Sequence, residues 1–478
     1  MARPIPVVDL VFLMIDRAEA PANVGIALIF EPPQGAGCEK ALREILRAYR
    51  AATPTTPFDV VPEVPPLGVP HWVQPGRIDM KRHVRRETLP APGSPAQLNE
   101  RLAELHRDRF DRSRPLFEIH LIDGLASGRF ALYIKSHHVT WDGRSAAARI
   151  FDSLSTKPGP LLPGFHALPS AAPPATPDFA GGMRTVMTHA VALRELYAQV
   201  TGRLAALRAQ PGRARGNAPF AGPHTRLNQR VAAERSFALF SLPLEDMRRI
   251  GRAFGGSIND VLLAVADDGV QRYLRELGER PAEPLVSMCP VSVREPGDLE
   301  AGTKASTMFV RLGSPRSGAA RRLEEIVAST AAAKTEFRSM SKEATIDFAL
   351  LAFGLWLTSD AFGLGAFTRP VVNFVVSNVG GVEGARYLGR SRLVGAFPVS
   401  MVADPAGLNF TSFSHDGRMD VGIVANRAVV PDAGSIAGHC LAAWQQLRRA
   451  KPAQDLTLRK PPARKPSRTR RMPASQRP

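Results

Sequence analysis

The segment YIKSHHVTWDGRS, Tyr133 to Ser145, sets His137 and His138 at the end of an apolar run, with Asp142 and Gly143 close behind. Two adjacent imidazoles and a carboxylate could bind a metal, move a proton or only finish a turn. Successive side chains of a strand point to opposite faces. Phe130, Leu132, Ile134, Ser136 and His138 would therefore share one face, and Ala131, Tyr133, Lys135 and His137 the other. This split argues against one metal held by both histidines, since ligands need a common face. Cys38, Cys289 and Cys440 are widely spaced with no CxxC pair, so neither a zinc site nor a disulfide framework is encoded. What remains is one imidazole, His138, emerging from the apolar side. A neutral imidazole is suited to removing a proton from an alcohol or amine. Asp142 precedes the helical pattern GRSAAARIFDSL, where a carboxylate can accept the first free N–H groups. A cap and a catalytic support both stay open for it.

Other segments carry polar residues at informative places. In GGSINDVLLA, Ser257 and Asp260 form a capping-box pattern, which gives Asp260 a structural role. Asn259 lies in the first turn of that helix, where backbone N–H groups and an amide can face a developing negative charge. In RPVVNFVVSNVGGVEG, Ser377 and Asn378 interrupt an apolar strand before two glycines, which fits a cleft wall or a plain turn. Arg294, in CPVSVRE, can pair with a carboxylate or remain solvated.

The elements that must position these residues alternate between the periods of strand and helix. VGIALIFEPP reads as a strand stopped by prolines, and SPAQLNERLAELHRDRF as a helix with Leu98, Leu102 and Leu105 on one face. LFEIHLIDGL and RFALYIKSHHV read as a hairpin. Residues 1–155 thus form a first α/β lobe. A Pro- and Gly-rich linker follows at 156–225, enclosing the helical stretch MRTVMTHAVALRELYAQVTGRLAALRAQ. That helix can pack across the junction or lie on a membrane surface. Residues 226–447 form a second lobe, from the strand RSFALFSL to a final helix at PDAGSIAGHCLAAWQQLRR. Two mixed α/β lobes around one cleft is the simplest architecture for such a chain.

The net charge of +18 is unevenly placed. Residues 448–478 hold eleven lysines and arginines against one acid, Asp455, in a Pro-rich tail too poor in apolar residues to pack. No aromatics are interleaved to stack bases, so nucleic acid is not the expected partner; a solvated tail or anionic lipid headgroups are. Asp9, Asp16 and Arg17 break the early apolar stretch, and no signal-peptide core results. FALLAFGLWLTS, residues 348–359, falls short of the ~20 residues that span a bilayer. The expected place is the cytoplasm, peripheral to the inner membrane face or to lipid inclusions.

HHVTWDG fits HHxxxDG, the signature of the CoA-dependent acyltransferase superfamily. The flanks are more selective. FDRSRPLFEIHLIDGLASGRFALYIKSHH, PHWVQPGRIDMKRHVRRETLPAPGSPAQL, VVDLVFL, PANVG, TRLNQRV, SINDVLLA, CPVSVRE, VVNFVVSNV, LNFTSFSHDG and VVPD together resemble the bacterial wax ester synthase/diacylglycerol acyltransferase family over about residues 5–447. Pro115, Leu116 and Phe117 stand where that family has Pro-Leu-Trp. The resemblance implies two chloramphenicol-acetyltransferase-like lobes around a substrate tunnel, with no metal and no cofactor beyond acyl-CoA as a substrate. It implies that His138 is the general base, drawing the proton from the hydroxyl of a diacylglycerol or a long-chain alcohol that attacks the acyl-CoA thioester. His137 would support the geometry from the far face, and Asp142 and Gly143 would hold the loop, with Arg294 as partner. Asn259, Ser377 and Asn378 would border the cleft and stabilise the oxyanion.

Three departures bear on substrate preference and rate: Phe117 for Trp, Asn23 where the family commonly has His, and SNVGGVEG without the prolines of SNVPGP. Two rival readings accompany the enzyme: a non-catalytic lipid- or inclusion-binding paralogue, and an acyltransferase for another hydroxyl acceptor.

Overall fold

The computed structural model describes residues 3–33, 38–66, 69–141, 143–169, 217–292, 305–339, 369–404 and 406–452. The linker helix, the apolar segment 348–359, Asp142, Arg294 and the tail beyond 452 lie outside these residues. Fifteen strands among the described residues make two six-stranded mixed sheets and one small sheet. The small sheet is β1 (Arg3–Pro4), β4 (His71–Val73) and β3 (Val61–Glu63), in that order.

The first large sheet runs β12 (Tyr387–Leu388), β13 (Ser391–Val399), β2 (Asn23–Glu31), β7 (Phe130–His137), β6 (Phe117–Asp123) and β5 (Val84–Thr88). The second runs β10 (Ala305–Arg311), β9 (Val286–Ser292), β11 (Phe374–Val382), β14 (Leu408–His415), β15 (Arg418–Asn426) and β8 (Arg235–Pro243). Parallel pairs, β5 with β6 and β11 with both β9 and β14, lie among antiparallel ones. The sheets do not divide where the chain does, because β12 and β13 come from the second half yet complete the first sheet. The described helices are α1 (Val7–Ile15), α2 (Cys38–Ala51), α3 (Met80–His83), α4 (Pro95–Arg107), α5 (Gly143–Asp152), α6 (Leu244–Ala253), α7 (Ile258–Glu276), α8 (Ala319–Arg338) and α9 (Ala433–Arg449).

Period-two alternation gives the first sheet two working faces. Ile26, Leu28, Phe30, Leu132 and Ile134 pack with Leu42 and Ile45 of α2 and with Ile150 and Phe151 of α5. On the other face Ala27, Ile29, Ala131 and Tyr133 meet Leu98, Leu102 and Leu105 of α4 and then Phe237 and Val424 of the second sheet. Helix α4 thus fills the space between sheets, begun by a reciprocal cap in which the Gln97 N–H donates to Ser94 Oγ and the Ser94 N–H to Gln97 Oε1. Each buried leucine contributes about 1.5–3 kcal/mol. The outer face of the second sheet is covered by α6, α7 and α9, whose residues share one core with Phe240, Phe374, Phe410 and Val421.

A charged cluster closes the β5–β6 edge. The buried His120 ring lies 2.6 Å from Glu87 and 3.3 Å from Glu118, and Arg101 Nε donates to Glu87 at 2.5 Å. Burial opposes the charge of both carboxylates, but His120 together with Arg101 at Glu87, and with Lys135 and Arg85 at Glu118, outweighs it and holds each at about 2, against an ordinary 4.5. Depressed carboxylates stabilise the fold above their unfolded pKa, and that contribution is lost as pH falls through the folded value. Denaturant midpoints measured from pH 4.5 down to 2 should therefore fall in the wild type and fall less steeply in His120→Gln.

Candidate functional site

Between the sheets lies a cavity of about 560 Å³ whose walls are mostly apolar. The first sheet supplies Gly25, Ile26, Ile134 and Ser136, and the second Val375, Ser377, Val379, Asn409, Thr411 and Phe413. His138, one residue beyond the end of β7, enters this wall half-buried. Its N–H donates to the Ala22 carbonyl at 2.8 Å, and its ring lies flat on Phe12 of α1, with centroids 3.7 Å apart and planes 13° apart. Its Nδ1 is buried, while the residue as a whole lines the cavity. Trp141 closes the turn from the same wall, its Nε1–H donating to Ser136 Oγ at 2.7 Å.

His137 goes the other way, as strand alternation requires. It is 1% exposed, and its Nδ1 accepts the Val139 N–H at 3.1 Å. An accepting Nδ1 places the ring proton on Nε2, which lies 3.7 Å from Asp16 Oδ2. Burial holds this imidazole below its ordinary pKa even with Asp16 beside it. Asp16 is itself a hub. Its Oδ2 accepts from Arg109 Nη2 at 2.9 Å and Arg112 Nη2 at 3.0 Å, and its Oδ1 accepts the Ala22 N–H at 3.1 Å. Burial works against its charge, but His137 and Arg109 hold the carboxyl well below the usual range.

The residues expected at the site are only partly brought together. Leu116 accepts the His137 N–H on its carbonyl at 3.0 Å and buries its side chain with Ile5, Leu13 and Val139; the Pro115 carbonyl accepts the Phe117 N–H. Gly143 begins α5, and a Cβ there would sit 3.3 Å from both methyls of Val379, so the helix closes directly on the second sheet. Asp260 accepts the Ser257 N–H and the Thr330 hydroxyl, which anchors the start of α7 against α8. Asn259, one residue earlier, is not among the residues lining this cavity, and its Oδ1 is buried. Of the Ser377–Asn378 pair only Ser377 does, because the Asn378 amide turns to accept the Gly380 N–H at 3.1 Å.

The departures also find their places. Phe117 is in the core, stacked on His83 and edge-on to Phe58, away from the cavity. Asn23 pairs in register with His137 and donates to the carbonyls of His106 and Asp108 at 2.6 and 2.9 Å. Gly380 has φ +106°, which a proline ring at this position could not adopt. Asp16, Arg109, Arg112 and Phe12 were not legible as site residues. Asp16 and Arg109 are 93 positions apart, and only the DRFDRSR cluster hinted at a buried counter-charge.

The fold resembles a condensation domain of the calcium-dependent antibiotic synthetase, with a TM-score of 0.58, 18% identity, and 95% of this chain and 98% of that one covered. A wax ester synthase/diacylglycerol acyltransferase from Marinobacter aquaeolei VT8 matches with a TM-score of 0.73 and 26% identity over 93% of this chain and 99% of that chain. Fold and site thus define a two-lobed acyltransferase of the chloramphenicol-acetyltransferase-like kind. Residues 6–262 match the wax ester synthase/diacylglycerol acyltransferase catalytic domain and residues 301–448 its C-terminal domain. Two Mycobacterium tuberculosis relatives are classed by name as diacylglycerol O-acyltransferases. One is 32% identical over 493 residues, covering 95% of this chain and 99% of the relative; the other, tgs2, is 31% identical over 447 residues, covering 92% and 98%. The chain belongs to the wax ester synthase/diacylglycerol acyltransferase family.

The flat stack of Phe12 on His138 fixes the ring plane. Phe12→Leu keeps the wall apolar and removes the stack. In a steady-state acyl-transfer assay it should lower kcat about 10-fold, while the denaturant midpoint shifts little.

Proposed function

We propose that this acyltransferase moves a fatty acyl group from acyl-CoA to the free hydroxyl of diacylglycerol, and also accepts long-chain alcohols, with His138 as general base. The observation that carries the reading is an imidazole, His138, in the wall of a mostly apolar cavity between the two sheets. Apolar walls suit acyl chains on both substrates, and a polar group at one point of the wall is what the reacting hydroxyl needs. The names of the mycobacterial relatives and of the Marinobacter structure support the choice of acceptors.

In the reaction His138 Nε2 takes the hydroxyl proton as the oxygen attacks the thioester carbonyl carbon. The tetrahedral intermediate then collapses, the C–S bond breaks, and the thiolate leaves and takes the proton back from the imidazolium. A thiolate leaves readily, so no separate strong acid is required. Ser377, which lines the cavity from the second sheet, is assigned in this reading as donor to the oxyanion, a contribution of about 3 kcal/mol in comparable sites. Asp142 and Arg294 keep the loop-holding role that the family resemblance gives them. No helix among the described residues is long and apolar enough to cross a membrane. Approach to lipid substrate is assigned to peripheral contact through the basic tail.

Purified protein supplied with radiolabelled palmitoyl-CoA and either diacylglycerol or hexadecanol should form triacylglycerol or wax ester. His138→Ala should lower the rate by about 10²–10⁴-fold. Full ester formation by that variant would remove His138 as the base, and turnover with neither acceptor would remove the substrate assignment.

A further inference from the structure

The proton-bearing edge of His137 points away from the cavity, toward a carboxylate with no substrate near it. Asp16 is 1% exposed at its side chain, as is His137. Two guanidiniums, Arg109 and Arg112, both from the segment between α4 and β6, converge on the same oxygen, Oδ2, that faces the imidazole. The same arginines also grip the backbone around it. Arg109 Nη2 donates to the Asp16 carbonyl at 2.9 Å, and Arg112 Nη2 to the Leu13 carbonyl at 2.7 Å. Leu13 follows Phe12, and Phe12 is the ring stacked on His138. The other carboxylate oxygen accepts the Ala22 N–H, and the Ala22 carbonyl in turn accepts the His138 N–H.

The backbone hydrogen bond of His138 to Ala22 and its stack on Phe12 therefore both lead, within two bonds or contacts, to one buried carboxylate. We propose that Asp16 is a positioning residue for the acyl-transfer reaction: it holds His137 as the Nε2–H tautomer and, through Ala22 and the arginine-clamped end of α1, sets the orientation of His138. The inference rests on His138 being the base. Asp16 is not among the residues lining the cavity. It acts on a ring that faces the cavity by fixing one that faces away.

Two consequences separate this role from general stability. The His137 Nδ1 accepts the Val139 N–H, so His137 must stay neutral for the turn 137–140 to keep its shape. Burial, with the positive charges of Arg112 and Arg109, keeps it neutral against the opposing pull of Asp16, the net direction being a lowered pKa. In addition, loss of the Asp16 charge should alter His138 geometry and so the chemical step, leaving binding of the long acyl substrate in its apolar cavity almost unchanged.

The test is a set of variants of the full chain: Asp16→Asn, Asp16→Glu, His137→Gln and the double variant Asp16→Asn/His137→Gln, assayed with palmitoyl-CoA and diacylglycerol. Asp16→Asn should lower kcat about 10–100-fold with KM for palmitoyl-CoA within about twofold, and should shift the pH profile of kcat/KM. Asp16→Glu should restore part of kcat. The double variant should be little slower than the slower single one, because residues acting through one another are not additive. Wild-type kcat and pH profile in Asp16→Asn, or a fully additive double variant, would overturn the proposal. Imidazole 15N spectra of the wild type give a reading that needs no substituted protein. A neutral Nε2–H His137 through pH 6 supports the inference, and an Nδ1–H tautomer or a normal titration overturns it. If His138→Ala is active, the general-base reading fails first; if it is inactive while Asp16→Asn is unimpaired, only the present inference fails.

Discussion

The antiparallel pairing of β13 with β2 is the constraint from which the rest follows. It runs from Arg392 against Glu31 to Val399 against Gly25, and it commits a strand from the second half of the chain to the first sheet. The chain then continues into β14, in the second sheet. One covalent connection thus belongs to both sheets and sets how far apart they stand. The approach is close: a Cβ on Gly422 of β15 would meet the Pro398 carbonyl at 2.1 Å, so only glycine lets the second sheet lie on this strand. Where the two sheets diverge from that seam the cavity opens, and His138 stands in its wall.

Local order in the site is a matter of where strand pairing stops. β2 and β7 pair as far as Asn23 and His137, and the next residue, His138, leaves the sheet. A register one residue longer would have carried His138 into the ladder and one shorter would have freed both histidines. The end of pairing is held by backbone bonds to the residues just before the two neighbouring strands, His137 to Leu116 ahead of β6 and His138 to Ala22 ahead of β2. The imidazole that reaches the cavity is thus held by a main-chain hydrogen bond and a ring stack.

Much of this was legible in the sequence because it is periodic. Alternation in RFALYIKSHH separated the two histidines correctly, and the leucines at 98, 102 and 105 marked the face of α4 that is buried. The two-lobed mixed fold also followed from the order of elements. What was not legible depends on contacts between distant segments. The insertion of β13 into the first sheet leaves no trace in a strand's own pattern, since a central strand of either sheet reads alike. Asp16 reads as a break in an apolar run, and its arginines lie in a loop. Asn259 and Asn378 sit at sequence positions suited to a cleft, but one is carried away by a helix anchored through Asp260 and the other is spent on its own turn.

The first helix has a further consequence for how such a protein is handled. Phe12 and Asp16 lie within the first seventeen residues of the sequence, and α1 carries no side-chain cap at its start, where Pro6 precedes it. Its position comes from the arginines near its end and from the short pairing of Arg3 and Pro4 with β4. Strain applied to α1 therefore acts on the segment that stacks Phe12 on His138, whereas α9 is packed in the core behind the second sheet.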